Sequence, residues 1–171
     1  MRLKSFTMKI SLIAALSKNN VIGQDGKVPW HLPDDLKWLK ERIEGHHLLM
    51  GRKTFEEPQQ QLQGQKTIVV TQNSAYNSKE ATAVQSIEKG IAHAESQGED
   101  ELMVVGGGKI YEAALPYAHK LYLTIIDTEI EGDTFFPKYN ALEWEEIYNH
   151  YHPKDQNHEY HFHFKILERK N

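Results

Sequence analysis

The sequence predicts an α/β protein: one domain on a doubly wound, mostly parallel central sheet with an antiparallel C-terminal hairpin at its edge. Three observations lead there. Residues 10–16, 47–50, 67–70, 102–105 and 121–126 are short, nearly unbroken apolar runs, the pattern of strands buried on both faces. Stretches of helical periodicity separate them, which is how parallel strands are joined. The last strand alternates instead, with Tyr160, Phe162, Phe164 and Ile166 opposed to His161, His163 and Lys165, as an antiparallel edge does.

The 171 residues carry a net charge of -4, with acids and bases interleaved, and contain no cysteine. No linker or repeat divides them, so residues 9–171 are expected to form one domain, preceded at 1–8 by a flexible extension in which Met8 is a second candidate start. The apolar run at 10–16 is followed by Lys18-Asn19-Asn20, where a signal peptide would place small residues, so it is a buried strand. No run reaches membrane-spanning length. The lack of a basic tract argues against nucleic acid as a partner. The lack of cysteine excludes thiolate chemistry and fits a cytoplasmic location. No exposed apolar stripe is evident, which predicts a monomer.

In chain order, strand 10–16 leads through a turn-rich loop, Gly23-Gln24-Asp25-Gly26, into Pro29-Trp30-His31-Leu32-Pro33-Asp34-Asp35-Leu36. Proline suits the first helical position because its missing N–H needs no partner there, so Pro33 is expected to open a helix running to Ile43. Leu32, Leu36, Leu39 and Ile43 make one stripe of that helix, and Asp35 falls on it. The helix dipole, which favours acids in the first turn, accounts for Asp34 better than for Asp35. A carboxylate on an apolar face is costly unless something polar meets it. Desolvation also raises its pKa, which suits a group that exchanges protons near neutral pH. Asp35 is the candidate acid.

Three later turns can carry chemistry, because ligands of such sheets lie beyond the carboxyl ends of the strands. Gly51-Arg52-Lys53-Thr54 sets two cations at a helix start, which suits phosphate. Gly106-Gly107-Gly108 permits close backbone approach, and Lys109 adds charge. Thr71-Gln72-Asn73 offers neutral donors. None is the G-x-G-x-x-G fingerprint, and a glycine run after a strand is more often plain turn chemistry. Two phosphate-competent turns on one edge favour a dinucleotide over a mononucleotide. Between them, a helix over residues 87–97 with Ser86 as its N-cap is expected.

Together these segments match a family. Ile10-Ser11-Leu12-Ile13-Ala14-Ala15, Val21-Ile22-Gly23, the Pro29 to Leu36 segment, Met50-Gly51-Arg52-Lys53-Thr54-Phe55-Glu56, Val105-Gly106-Gly107-Gly108-Lys109-Ile110-Tyr111, Leu121-Tyr122-Leu123-Thr124 and Glu131-Gly132-Asp133-Thr134-Phe135-Phe136-Pro137 stand in the order and spacing of bacterial dihydrofolate reductase. The chain resembles that family from about residue 10 to residue 170. The resemblance implies NADPH-dependent reduction of 7,8-dihydrofolate to 5,6,7,8-tetrahydrofolate by hydride transfer, in support of one-carbon metabolism, and makes antifolates possible inhibitors. It implies a catalytic set of Asp35, Trp30, Tyr122 and Thr124. Asp35 would accept hydrogen bonds from the pterin 2-amino and N3–H groups and favour protonation at N5 through water. Thr124 would support Asp35, and Tyr122 would lie near the nicotinamide. Ile13 and Val105 would offer backbone carbonyls to the pterin, with Ala14 and Ala15 beside them. Val28, Leu36, Leu39, Thr54, Pro58 and Leu62 would line the substrate slot. Ala15, Ile22, Gly51, Arg52, Lys53, Thr54, Thr71, Gln72, Gly106, Gly107, Gly108, Lys109, Ile110 and Tyr111 would surround the cofactor, their positive charge favouring NADPH over NADH. A cis peptide is implied at Gly106-Gly107.

The chain departs from the family at Gln65, where an arginine would grip the α-carboxylate of the folate tail. Losing such a charge-assisted contact weakens binding by roughly 1.5–3 kcal/mol unless another cation, for which Lys40 is the best placed, takes over. Val28 stands for a methionine of the mobile loop and Leu39 for an aromatic. Gln65 keeps open a second reading, a reductase of the same fold acting on another pterin or a ribosylated pyrimidine. A third, a non-catalytic nucleotide-binding protein, is disfavoured by the presence of Asp35 and Trp30. The histidines (His46, His47, His150, His152, His158, His161 and His163 among them) have no acid at a definite spacing. They are expected at outward polar positions, with no metal. Trp144 is expected in the core.

Overall fold

A computed structural model, in which residues 7–57, 62 and 66–171 are described, has this doubly wound architecture. In chain order the elements are β1 (Lys9–Ser17), β2 (Val21–Gly23), α1 (Pro33–Ile43), β3 (His47–Gly51), α2 (Arg52–Glu56), β4 (Lys66–Val70), β5 (Ala81–Val84), α3 (Ile87–Ser96), β6 (Glu101–Gly106), α4 (Gly108–Ala114), β7 (Lys120–Ile126), β8 (Thr134–Phe135), β9 (Trp144–His152) and β10 (Phe162–Arg169). Eight strands form one sheet in the order β5-β4-β3-β6-β1-β7-β10-β9, and β2 pairs with β8 in a small separate ribbon. The strands from β5 to β7 run parallel. β10 is antiparallel to both β7 and β9, which makes the C-terminal hairpin edge.

The apolar strands are continuous because each face of the sheet carries its own core. Alternate residues of β1 and β6 divide between them: Ile10, Leu12, Leu102 and Val104 face α3 and α4, whereas Ile13, Met103 and Val105 face α1. On the alternating last strand, Phe162, Phe164 and Ile166 join the α1 face and Leu167 the other. Trp144 is buried, and Ser86 caps α3 by accepting from the Lys89 amide at 3.1 Å. The short Ala-Thr-Ala-Val run of β5 lies at the edge of the sheet and so carries little apolar signal in the sequence.

Two expectations are corrected here. Met8, assigned to the extension, is 5% exposed and belongs to the core. On α1 the buried stripe is Trp38 and Ile43 with Leu39 partly covered, whereas Leu36 is 41% exposed. The indole of Trp38 takes the space against the sheet: it stacks on Phe164 with 4.5 Å between ring centres, and the Arg42 guanidinium covers it at 4.0 Å. That rotation aims Leu36 outward and leaves Asp35 on the sheet side.

Candidate active site

β4, β3, β6, β1 and β7 are neighbours and parallel, so their carboxyl ends share one edge. Thr71, Gly51, Gly106, Ala15 and Thr124 mark that edge in sequence, and the register of β1 with β7 pairs Ala15 with Thr124. Asp35 reaches it from the first turn of α1. The Thr124 hydroxyl, 1% exposed, donates to Asp35 Oδ1 at 2.6 Å. Burial pushes the Asp35 pKa up to about 6, against the Thr124 hydrogen bond, which pulls it down.

The tyrosine of this cluster is Tyr111. Its hydroxyl donates to the Ile13 carbonyl at 2.6 Å, and burial, with the Asp35 charge adding to it, raises its pKa so that it stays a neutral donor. Tyr122, expected beside the nicotinamide, is elsewhere. It lies two residues toward the amino end of β7 from Thr124, and its hydroxyl donates to Glu101 at the start of β6 at 2.9 Å. Ser11 donates to the same carboxylate oxygen at 2.6 Å. Tyr111 lies on α4 just after β6 and Tyr122 within β7, and their tertiary partners separate their roles.

Beside the acid, β6 ends in the glycine turn. The Gly106-Gly107 peptide is cis, and Gly106 has φ +126°, a conformation side chains rarely adopt. A Cβ on Gly108 would come within 3.0 Å of Thr134 and 3.1 Å of the Phe135 carbonyl, with Ile22 at 3.9 Å. Gly107 adjoins Thr54, and Gly51 adjoins Ile110, so the starts of α2 and α4 form one backbone-lined cradle. Arg52, Lys53, Gln72 and Lys109 are exposed around it. α2 is only five residues long, so attraction for an anion there rests on the Arg52 and Lys53 charges more than on a helix dipole. Arg52 also holds Glu56 at 3.0 Å. The Thr71 hydroxyl accepts the Asn73 amide.

Of the residues expected to line the substrate slot, Leu36 is exposed and Leu39, Thr54 and Leu62 are partly covered, as is Phe55. Trp30 packs against the α1-face core, and Val28 is 38% exposed. The loop before them is tethered where the Asp25 amide donates to Asp133 Oδ2 at 2.9 Å. Lys40 is exposed on the turn of α1 after Leu36. Pro58 and Gln65, assigned to the slot and the tail contact, lie outside the described residues.

The histidines correct another expectation. His47 and His158 are buried, at 5% and 3% exposure, and acids from distant segments meet them: Glu99 takes His46 and His47, while Asp34 and Asp155 flank His152 and His158. The Glu99 and Asp34 pairings span separations that no local spacing reveals, whereas Asp155 stands only three residues before His158.

These features define an α/β protein with a glycine turn at the carboxyl edge of its sheet and a desolvated acid on the same edge. Comparison with known proteins makes the class specific. A sequence model described as Dihydrofolate reductase matches residues 9–169. The chain is 41% identical over 163 residues to dihydrofolate reductase type 3 of Salmonella typhimurium, covering 95% of this chain and 99% of that protein. It is 38% identical to the dihydrofolate reductase of Bacillus subtilis, over 95% of both. Among solved structures it is similar to dihydrofolate reductase from Enterococcus faecalis complexed with NADP(H) and RAB-propyl. That likeness has a TM-score of 0.86 at 33% identity and covers 95% of this chain and 97% of the other. The chain belongs to the dihydrofolate reductase family.

Proposed function

We infer that this protein reduces 7,8-dihydrofolate to 5,6,7,8-tetrahydrofolate with NADPH. The observation that carries the reading is the placing of one desolvated carboxyl group, held by Thr124, beside a glycine cradle ringed by cations. The cradle fits the cofactor: its three glycines present bare backbone at the sheet edge, and Arg52, Lys53 and Lys109 supply charge for the phosphates, with Thr71 and Gln72 beside them. NADPH supplies, when bound, the hydride that goes to C6 of the substrate.

The chain's own residues do the rest. Asp35 binds the pterin through its 2-amino and N3–H groups and so fixes C6 toward the cradle. Its raised pKa leaves a large fraction protonated near pH 6, and the proton needed at N5 comes from this group through water. Thr124 keeps the carboxyl in one orientation. The Ile13 carbonyl, already taking the Tyr111 hydroxyl on one lone pair, offers the other to the pterin edge, as does Val105. Leu36, Leu39 and Leu62 exclude water from the ring, and Lys40 meets the carboxylate tail. Antifolates that carry a diamino heterocycle would compete for Asp35. We place the enzyme in the cytoplasm as a monomer; the lack of cysteine supports the first. Among the described residues no helix is long and apolar enough to cross a membrane.

NADPH oxidation tests this with 7,8-dihydrofolate and, in parallel, 6-methyl-dihydropterin, which has no glutamate tail. Fast turnover of dihydrofolate at a low Michaelis constant is expected, with the tail-less compound bound more weakly. Turnover of neither would send the site to the related reductases of pyrimidines.

A further inference from the structure

The helix that carries Asp35 begins without a cap of its own. Its N-cap residue is Leu32, which offers no side-chain acceptor, and Pro33 brings no N–H. The Asp35 and Leu36 amides return to the Leu32 carbonyl at 3.0 and 3.1 Å. The remaining first-turn donor, the Asp34 amide, is met from 124 residues away: it donates to Nε2 of His158 at 3.0 Å. His158 lies in the β9–β10 connection and is 3% exposed.

That contact dictates the ring's state. A backbone amide can only donate, so Nε2 of His158 is a bare acceptor and the ring proton sits on Nδ1. Nδ1 is 2.8 Å from Asp155 Oδ1, a carboxylate that takes it. Asp155 is itself held by the Asn157 amide at 2.8 Å and by reciprocal main-chain bonds with His158 at 3.0 and 3.2 Å. His158 is therefore neutral, in one tautomer.

His152 next to it is the opposite. Its Nδ1 is 2.8 Å from the Pro153 carbonyl and its Nε2 2.7 Å from Asp34 Oδ2, so both nitrogens face acceptors and both carry protons. Burial opposes that charge, but the Asp34 carboxylate and the Pro153 carbonyl outweigh it and hold the His152 pKa above its ordinary value. The two rings are 4.6 Å apart, and His152 stacks on Phe162. A cation at that distance disfavours a second one on His158. The titratable groups around His158 are Asp34, His152 and Asp155; those near Asp35 are Tyr111 and His158, both neutral. Asp34, His152 and His158 each bring one candidate ligand atom within 4.8 Å of the others, as metal ligands would. However, the His158 lone pair is spent on the helix amide, so the cluster is built as a cap.

We propose that His158 is a positioning residue for Asp35: its neutral Nε2 caps the first turn of α1 from the β9–β10 connection and thereby fixes the carboxyl group where Thr124 and the pterin meet it. The proposal rests on reading Asp35 as the acid that binds the pterin.

Two variants and one spectrum test it. His158→Phe keeps a planar ring and removes the acceptor, while His158→Gln carries an amide oxygen to about the place of Nε2. In single turnovers His158→Phe is expected to slow hydride transfer about tenfold through misplacement of Asp35. It should also move the pH midpoint of that step toward acid by about half a unit, as water reaches the loosened turn. NADPH affinity should stay within about twofold, and His158→Gln should recover both rate and midpoint. An unchanged rate and midpoint in His158→Phe, or a loss in His158→Gln as large as in His158→Phe, overturns the proposal. Ring nitrogen spectra of the unaltered protein at pH 7 should show His158 neutral with a bare Nε2 and His152 doubly protonated. A proton on Nε2 of His158 would overturn the cap even if both variants were slow. If the unaltered enzyme fails to oxidise NADPH with dihydrofolate, the functional reading falls, and the ring spectra still decide the cap.

Discussion

Around Asp35 the polar atoms have partners inside the protein, whereas around the glycine cradle the cations stand at the surface. Thr124 holds the carboxyl, Tyr111 holds the Ile13 carbonyl, and His158 holds the helix that presents the acid. Lys53 and Lys109 are exposed, and Arg52 pairs with Glu56, a pairing that solvent screens. The difference follows from what each half has to do. A group that handles a proton needs a fixed, desolvated setting, because burial is what lifts its pKa. A site for a polyanion needs room for backbone approach and charges that can swing onto it, and the ligand does the ordering.

Each contrast can be broken by a substitution. The largest effect is expected from Asp35→Asn. Hydride transfer at neutral pH should fall by on the order of 10²–10⁴-fold, while the NADPH dissociation constant stays nearly unchanged. Single-turnover rates and cofactor titration separate the two, and near-normal turnover would remove Asp35 from the mechanism. Gln65→Arg extends the anion-attracting rule to the substrate tail. It should lower the Michaelis constant for dihydrofolate by roughly 1.5–3 kcal/mol equivalent and leave a tail-less dihydropterin alone. An equal effect on both would mean that residue 65 does not face the tail.

The acid half should also cost stability, with a definite sign. The Asp35 pKa is raised from 3.8 to about 6 in the fold, so its contribution is fully present below pH 3.8 and is lost as pH rises through about 6. Asp35→Asn, which cannot ionise, should therefore be more stable than the natural protein at pH 7 by about 3 kcal/mol, and the gap should close below about pH 4. Denaturant titrations at the two pH values read it, and a gap of the same size at both would deny the buried charge. The smallest effect is expected at the cradle. Arg52→Gln should weaken NADPH about tenfold and NADH less, with the hydride-transfer rate kept. Equal weakening of the two cofactors would place Arg52 away from the extra phosphate.

How much of this was legible beforehand differs along the same line. The strands, the Pro33 start of α1 and the suspicion about Asp35 follow from local periodicity and from the cost of an acid on an apolar stripe. The glycine turns were visible because backbone geometry demands glycine. Trp38 displaced Leu36 from the stripe because a helix has more than one apolar face to offer and the sheet chose the larger ring. Tyr111 and Tyr122 look alike in sequence, and a hydroxyl's partner, Ile13 in one case and Glu101 in the other, is set only by the fold. The histidine partners are hidden for the same reason: Asp34 and His158 stand 124 residues apart, and no spacing rule joins them.

The most direct measurement is the pH dependence of single-turnover hydride transfer from NADPH to dihydrofolate, in the natural protein and in Asp35→Asn. The natural protein should be fast at acid pH and slow through a midpoint near the raised pKa of about 6. Asp35→Asn should be slow throughout and lack that midpoint. A variant that keeps both the rate and the midpoint would contradict the assignment of the proton and the pterin to Asp35.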